Sequence, residues 1–172
     1  MLAAAPPVRA EIDTVAMSIQ AAYLYQFTRF VEWPAAETAS PLIVCVIGHD
    51  PFGEALDLAV QDRRVGGRRV TVRRLPDAEG AGACSLAFLP AGESARLPAL
   101  QQAVRNQPVL LVSDIRDFAR NGGMIGFFRD ADRLRFEVNP AAAEEAGLRI
   151  SSRLLSIARV VGGAGGPAPS GR

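Results

Sequence analysis

Apolar residues recur at intervals of three and four near the start of the chain, which places them on one face of a helix. Asp13 or Thr14 can cap the start of this helix, and Pro34 ends it shortly after Trp33. The pattern predicts a substantially buried helix from about residue 13 to residue 30. Its apolar face comprises Val15, Ile19, Tyr23, Phe27 and Phe30.

Short apolar runs then alternate with segments of helical spacing. Residues 42–47 form a continuous run rich in β-branched side chains, which is typical of a central strand covered on both faces. Residues 68–75 alternate apolar and arginine side chains in part of their length, which indicates an outer strand. Residues 85–89 and 109–112 are the remaining predicted strands of this part of the chain.

The pattern changes after residue 123. Two extended runs, 124–129 and 133–138, flank a three-residue turn and predict a β-hairpin. Asn139 and Pro140 begin a short helix, and the apolar spacing predicts a last helix from about residue 151 to residue 161.

These elements predict one domain of the α/β class. Strands that alternate with helices favour a three-layer αβα sandwich with a mainly parallel sheet and an antiparallel C-terminal hairpin. We expect this domain to span residues 13–161, between a disordered N-terminal remnant (1–12) and a disordered tail (162–172). The Ala-rich start resembles the end of an export signal, although a plain disordered start fits it equally well.

Parallel sheets bind ligands at the carboxyl ends of their strands, near the point where the strand order reverses. Three predicted loops lie at those ends. They make a candidate ligand crevice that comprises His49, Asp50, Ser94, Ser113 and Asp114.

The composition removes several classes of function. Nineteen basic residues, all arginine, nearly balance eighteen acidic ones in a chain of 172, so a nucleic-acid-binding surface is not expected. A single histidine excludes a His-rich metal site, and no lysine is present for a Schiff base or a phosphate loop. No apolar run reaches the roughly 18 residues of a membrane span, so direct membrane insertion is not expected.

Few residues point to catalysis. The glycine-rich loop at 48–53 lacks the lysine that follows in a phosphate loop. A serine hydrolase that uses Ser94 or Ser113 with His49 is an alternative, but the second glycine of a nucleophile elbow is missing after Ser94. We therefore expect no enzymatic activity, no metal and no cofactor.

Two cysteines fall close together in the predicted sheet. Cys45 lies in the first predicted strand and Cys84 directly precedes the third, so neighbouring strands can bring them to disulfide distance. Two reduced, buried thiols fit the same placement. The residues alone leave both states open.

Six blocks of sequence follow one another over residues 15–161, and together they resemble the YfiR-like family. Several long blocks in the right order are far more specific than any single motif. The blocks are Ala21–Pro34, Cys45–Gly53, Pro108–Asp114, Gly122–Ile125, Arg135–Asn139 and Leu148–Leu155.

The resemblance implies a periplasmic α/β sandwich without enzymatic activity. The best-known family member represses a membrane-anchored diguanylate cyclase by binding its periplasmic part, which lowers cyclic di-GMP and biofilm formation. The resemblance further implies a homodimer and an outer-membrane lipoprotein that sequesters the repressor. It also implies a disulfide between Cys45 and Cys84, whereas the second cysteine pair of that repressor is absent from this sequence. A periplasmic small-molecule-binding protein that uses the strand-end crevice remains an alternative.

The predicted hairpin is rich in phenylalanine. Successive side chains on a strand point to opposite faces of the sheet, so Phe127 and Phe128 cannot both face the core. Either the last two helices cover the second ring, or a partner or second subunit covers an aromatic patch with arginines at its rim. The candidate partner surface comprises Phe127, Phe128, Arg129, Arg135 and Phe136.

Overall fold

The computed structural model describes residues 3–5, 7–34 and 40–162. Residues 8–12, expected to be disordered, instead form the start of the first helix. Residues 1, 2 and 6 of the expected N-terminal remnant lie outside the described residues, and so does the predicted tail apart from Gly162.

Side-chain caps mark the start of two helices, but not of the first one. The predicted cap at Asp13 or Thr14 is wrong, because the Thr14 hydroxyl donates within the helix to the carbonyl oxygen of Ala10 (2.8 Å). Asn139 and Ser151 do act as caps, since their side-chain oxygens accept backbone N–H groups in the first turn of the next helix. The helices are α1 (Val8–Phe30), α2 (Glu54–Val60), α3 (Leu97–Ala103), α4 (Pro140–Glu145) and α5 (Ser152–Ile157).

Ten strands are present in the described part of the chain. Eight of them form one sheet, and the other two, β1 and β9, pair separately as an antiparallel ribbon. The strands are β1 (Val31–Glu32), β2 (Leu42–Ile47), β3 (Arg64–Val65), β4 (Arg68–Leu75), β5 (Leu86–Leu89), β6 (Leu110–Ser113), β7 (Ile125–Asp130), β8 (Arg133–Val138), β9 (Arg149–Ile150) and β10 (Arg159–Val160).

The order of the large sheet is β10-β8-β7-β6-β5-β2-β4-β3. Its middle is parallel from β4 to β7, and β8 adds to β7 as an antiparallel hairpin partner. Helices flank this sheet, so the predicted αβα sandwich with a mainly parallel sheet and an antiparallel hairpin is confirmed. The strand order reverses between β2 and β5, and we call the carboxyl ends of these two strands the switch point.

The last predicted helix is too long at its C-terminal end. After α5 the backbone turns extended at Ala158, and β10 pairs in parallel with β8. The open edge of the hairpin supplies hydrogen-bond partners that a longer helix would leave unused. This change places Arg159 beside the hairpin.

Only the second half of α1 is buried. Leu24 and Phe27 are fully enclosed, whereas Val15 is 58% and Ile19 is 46% exposed, so the predicted apolar face is wrong in its first half. At about 100° per residue, Val15 lies about 180° around the helix from Leu24. The three-and-four spacing therefore included two aliphatic residues on the solvent side of the helix.

Candidate functional site

The chain's own side chains fill the switch point. The Glu93 carboxylate accepts the backbone N–H of His49 (3.0 Å) and pairs with the guanidinium of Arg96 (2.6 Å). Gly48 permits this approach, because its φ is +79° and the Glu93 side chain occupies the space that a Cβ would need. The hydrogen bond from His49, followed by that from Arg96, holds the pKa of Glu93 below its ordinary range.

Asp50 is engaged at the same end of the sheet. Its carboxylate accepts the N–H of Phe52 (2.8 Å) and pairs with Arg74 (2.6 Å), which also pairs with Asp57 (2.7 Å). The hydrogen bond from Arg74 lowers the pKa of Asp57, and the two carboxylates raise the pKa of Arg74 above its usual value. The network ties β4 to the first turns of α2.

The two candidate serines have different surroundings. Ser113 is fully buried, and its hydroxyl donates to the carbonyl oxygen of Leu89 (2.6 Å) while accepting the N–H of Ile115 (3.0 Å). Ser94 is exposed in a 3-10 segment. In the described part of the chain neither serine has a hydrogen bond to His49, so no nucleophile–base pair of a hydrolase is assembled.

Asp114, the fifth residue of the candidate crevice, faces a different part of the molecule. One of its carboxylate oxygens accepts the N–H of Ala91 (2.7 Å). The side chain lines two cavities beside the hairpin, of ≈ 740 Å³ and ≈ 280 Å³. The sequence therefore identified a residue of the open region, but grouped it with residues of the closed switch point.

Cys45 and Cys84 form a disulfide, with Cα atoms 6.0 Å apart. Cys45 is fully buried and Cys84 is nearly so. Cys45 lies in the middle of β2, and Cys84 lies two residues before β5 begins. The bond lies within the core and away from both regions described above.

Phe127 and Phe136 belong to the core. They are 4% and 3% exposed, and their rings lie 5.6 Å and 5.0 Å from that of Phe27 on α1. Tyr23 completes this aromatic cluster. The expectation that Phe127 and Phe136 contribute to an exposed partner surface is therefore wrong, because α1 covers their side of the hairpin.

Phe128 points to the other side and is only half-buried. The guanidinium of Arg159 lies 4.3 Å from the centre of its ring, and that of Arg135 lies 5.9 Å away. Arg135 also pairs with Asp130 across the hairpin (2.9 Å). Thus arginines of β10 and of the hairpin itself cover one part of the ring.

A buried carboxylate stands behind this ring. Glu137 is 6% exposed and accepts from Arg120 (2.7 Å) and from Arg159 (3.5 Å). The hydrogen bond to Glu137 raises the pKa of Arg120. Glu137 therefore anchors the arginine that stacks on Phe128.

Three residues, two beside the hairpin and one at the switch point, were not predicted from the sequence as functional. Arg159 fell within the last predicted helix, so nothing indicated that it lies beside the hairpin. Glu137 stands at a regular charged position of the alternating strand 133–138, so the pattern indicated an exposed residue and not a buried ion pair. Glu93 gave no signal, because its role depends on the neighbouring strand end.

The described residues contain neither a metal-ligand cluster nor a membrane-spanning helix. No group of three His, Cys, Asp or Glu side chains there could hold a metal ion. No helix in that same part is long and apolar enough to cross a membrane.

Comparison with known proteins identifies the fold and the family. A conserved domain protein from Vibrio cholerae O1 biovar eltor matches with a TM-score of 0.58 at 10% identity, over 84% of this chain and 60% of that one. The chain thus spans about 60% of the length of that structure, and this likeness shows the fold alone. No curated protein matches the sequence. Residues 17–159 match the sequence profile of the YfiR/HmsC-like family, so the chain belongs to that family.

Proposed function

We propose that this protein is a periplasmic, non-enzymatic regulator that binds the periplasmic part of a membrane-bound diguanylate cyclase. Binding represses the cyclase and lowers cyclic di-GMP and biofilm formation. Membership of a family of periplasmic regulatory proteins supports this role. The disulfide supports an oxidising compartment, where such bonds persist.

The half-buried Phe128 carries the proposal for the binding surface. We define the Phe128 surface as Phe128 with Arg129, Arg135 and Arg159. A surface with an aromatic ring at its centre and arginines at its rim has the composition of a protein interface. Arg129 has no ion pair or hydrogen bond through its side chain within the residues that the structure describes, so its charge is available to a partner.

The position of Phe128 in the sheet supports the same assignment. β6 ends opposite Gly126, so the last four residues of β7 extend beyond it and have a strand neighbour on one side only. Uncovered strand edges favour contact with another chain. The excess of arginine favours a partner segment that carries acidic residues, and such binding weakens at high salt.

We further propose that the protein forms a homodimer and that an outer-membrane lipoprotein sequesters it. Membership of the family supports both contacts. The Phe128 surface is a candidate for either contact, and the three partners then compete for it. Competition predicts that excess cyclase segment displaces the lipoprotein from the regulator.

Replacement of Phe128 by Asp tests this surface. We expect Phe128→Asp to fold with a normal circular dichroism spectrum while losing the dimer in light scattering, or the cyclase segment in a pull-down. Leu58→Asp is the matched control, because Leu58 on α2 is 66% exposed and lies outside the Phe128 surface. Unchanged partner binding by Phe128→Asp, or its unfolding as a core variant, removes this surface from the proposal.

The role itself is tested with the wild-type protein. A pull-down from membrane extract should capture the cyclase, and deletion of the gene should raise cyclic di-GMP. Unchanged cyclic di-GMP together with no captured cyclase contradicts the proposed function. The crevice and hydrolase alternatives have weaker support, because Glu93 fills the switch point and the Ser113 hydroxyl is bonded to Leu89.

A further inference from the structure

A small cavity of ≈ 280 Å³ lies between α1 and the end of the hairpin. We call it the Gln20 cavity. Much of its wall is apolar and includes Met17 and Leu134. Three polar side chains also reach it: Gln20, Asp114 and Arg129.

Gln20 is the unusual member of this set. It is 3% exposed, and its side-chain amide has no hydrogen-bond partner among the residues that the structure describes. No fully enclosed side-chain nitrogen or oxygen in that part of the chain lacks a partner, so the amide keeps its opening to the cavity. The amide therefore presents its donor and acceptor groups to the cavity with no partner from the described residues. A ligand in the cavity supplies the missing partner.

The two charged side chains add opposite charges to the same cavity. Arg129 has no side-chain partner within the described ranges. Asp114 uses one carboxylate oxygen to accept the N–H of Ala91 (2.7 Å), and its second oxygen has no partner in that part of the chain. The cavity therefore offers one cation, one carboxylate oxygen, one amide and an apolar wall.

We propose that the Gln20 cavity binds a small zwitterion with a compact apolar group, of the chemical class of the aliphatic α-amino acids. The ligand carboxylate pairs with Arg129, and its ammonium group pairs with the free oxygen of Asp114. The Gln20 amide hydrogen-bonds one of these polar groups, and the aliphatic part contacts Met17 and Leu134. The volume is below the roughly 300–1,000 Å³ of sites for drug-sized ligands, which favours a molecule of this size.

Binding here links to the proposed function at one point. The cavity and the Phe128 surface share Phe128 and Arg129, so a ligand on Arg129 changes the charge that a partner meets. We infer that the zwitterion weakens partner binding. This consequence rests on the proposed function, whereas ligand binding itself does not.

Calorimetry and thermal melting of the full chain test the ligand class. The probes are L-leucine, 4-methylpentanoate, which lacks the ammonium group, and isopentylamine, which lacks the carboxylate. We expect L-leucine to raise the melting temperature and to bind about tenfold more tightly than either analogue. Equal affinities for the three probes, or no shift with leucine, isoleucine or valine up to about 10 mM, overturn the proposal.

Two variants test the residues. Gln20→Leu should bind leucine about tenfold more weakly with an unchanged fold, because the cavity loses the amide while the side chain keeps a similar size. Asp114→Asn keeps an oxygen for the Ala91 N–H, and it should weaken leucine binding about tenfold without weakening 4-methylpentanoate binding. Wild-type leucine affinity in both variants overturns the site.

Arg133→Ala is the control for charge, since Arg133 is an exposed hairpin arginine outside the cavity, and it should bind leucine normally. Leucine that binds but leaves the pull-down unchanged retains the site and contradicts its link to the partner. A pull-down that fails with and without leucine contradicts the proposed function alone.

Discussion

Two regions at the carboxyl end of the sheet differ in what occupies them. At the switch point, Glu93 lies over Gly48 and bonds to His49, so the crevice is closed from within. Beside the hairpin, Phe128 is half-buried and two cavities open on either side of β7. The switch point, where ligands of parallel sheets usually bind, is therefore occupied here by the chain's own side chains.

The difference has a local cause in each region. A glycine at position 48 lets a side chain from the neighbouring loop approach the backbone, which a Cβ would prevent. The hairpin strands are longer than β6, so the end of β7 has no strand on its β6 side to bring a covering loop. In this protein the open region lies where strand lengths differ, and the closed one lies where the strand order reverses.

The two adjacent phenylalanines test this comparison with the largest expected effect. Phe127→Ala should destabilise the protein by about 3–5 kcal/mol, because a buried ring in the α1 cluster is removed. Phe128→Ala should cost about 1 kcal/mol, since the ring is half-exposed and loses mainly its contact with Arg159. Urea unfolding measures both. Equal losses would show that both rings are core and that the hairpin end is closed.

The disulfide should affect both regions alike. Reduction of the Cys45–Cys84 bond should lower stability by about 2–4 kcal/mol, because the unfolded chain regains the freedom of the closed loop. Melting with and without reductant measures the change, and mass spectrometry should show two hydrogens fewer in the non-reduced protein. Alkylation of two thiols in the unreduced, denatured protein would contradict the bond.

Gly48→Ala sharpens the account of the closed region. We expect a loss of about 1–3 kcal/mol, because the new methyl group meets the Glu93 side chain and the residue keeps a positive φ. Gly122→Ala is the matched control, since its φ is +101° but open space surrounds it. If urea unfolding gave the same loss of stability for Gly48→Ala and Gly122→Ala, backbone strain alone would explain it, and Glu93 would not close the crevice.

Acid should weaken the closed region, and we expect this effect to be the smallest of the four. The folded-state pKa of Glu93 is lowered, so its contribution is complete above the pKa of the unfolded chain and is lost as pH falls through the folded value. Glu93→Gln should therefore melt below the wild type at neutral pH and converge with it in acid. A constant difference across the pH range would contradict this contribution, and Glu54→Gln on α2 serves as the control.

The aromatic pair shows how far the sequence predicted the candidate site. Alternation along a strand required Phe127 and Phe128 to face opposite sides, and they do. Which ring is covered depends on where α1 crosses the sheet, and the sequence pattern does not give that position. The pattern also assigned Phe136 to the surface, although its place opposite Phe127 puts it beneath the same helix.

The residues of the candidate crevice also show that the sequence pattern does not predict which side chains meet in the fold. The sequence placed all five residues at strand ends. Four of them bond to other residues of the chain or face solvent away from the hairpin. Asp114 instead lines two cavities beside the hairpin. Hydrogen bonds between residues far apart in sequence, such as His49 with Glu93, make this difference. No local pattern records them.

The sequence by itself determined the elements, because continuous and alternating apolar runs fix which segments form strands that bury one face or two. It also determined the family, through long blocks that match in order. Only the tertiary structure decided that the last helix ends at Ile157 and is followed by β10, and that Arg159 stacks on Phe128. It also decided that Gln20 is buried without a hydrogen-bond partner among the described residues. These features depend on which elements become neighbours after folding, and packing between distant segments decides that.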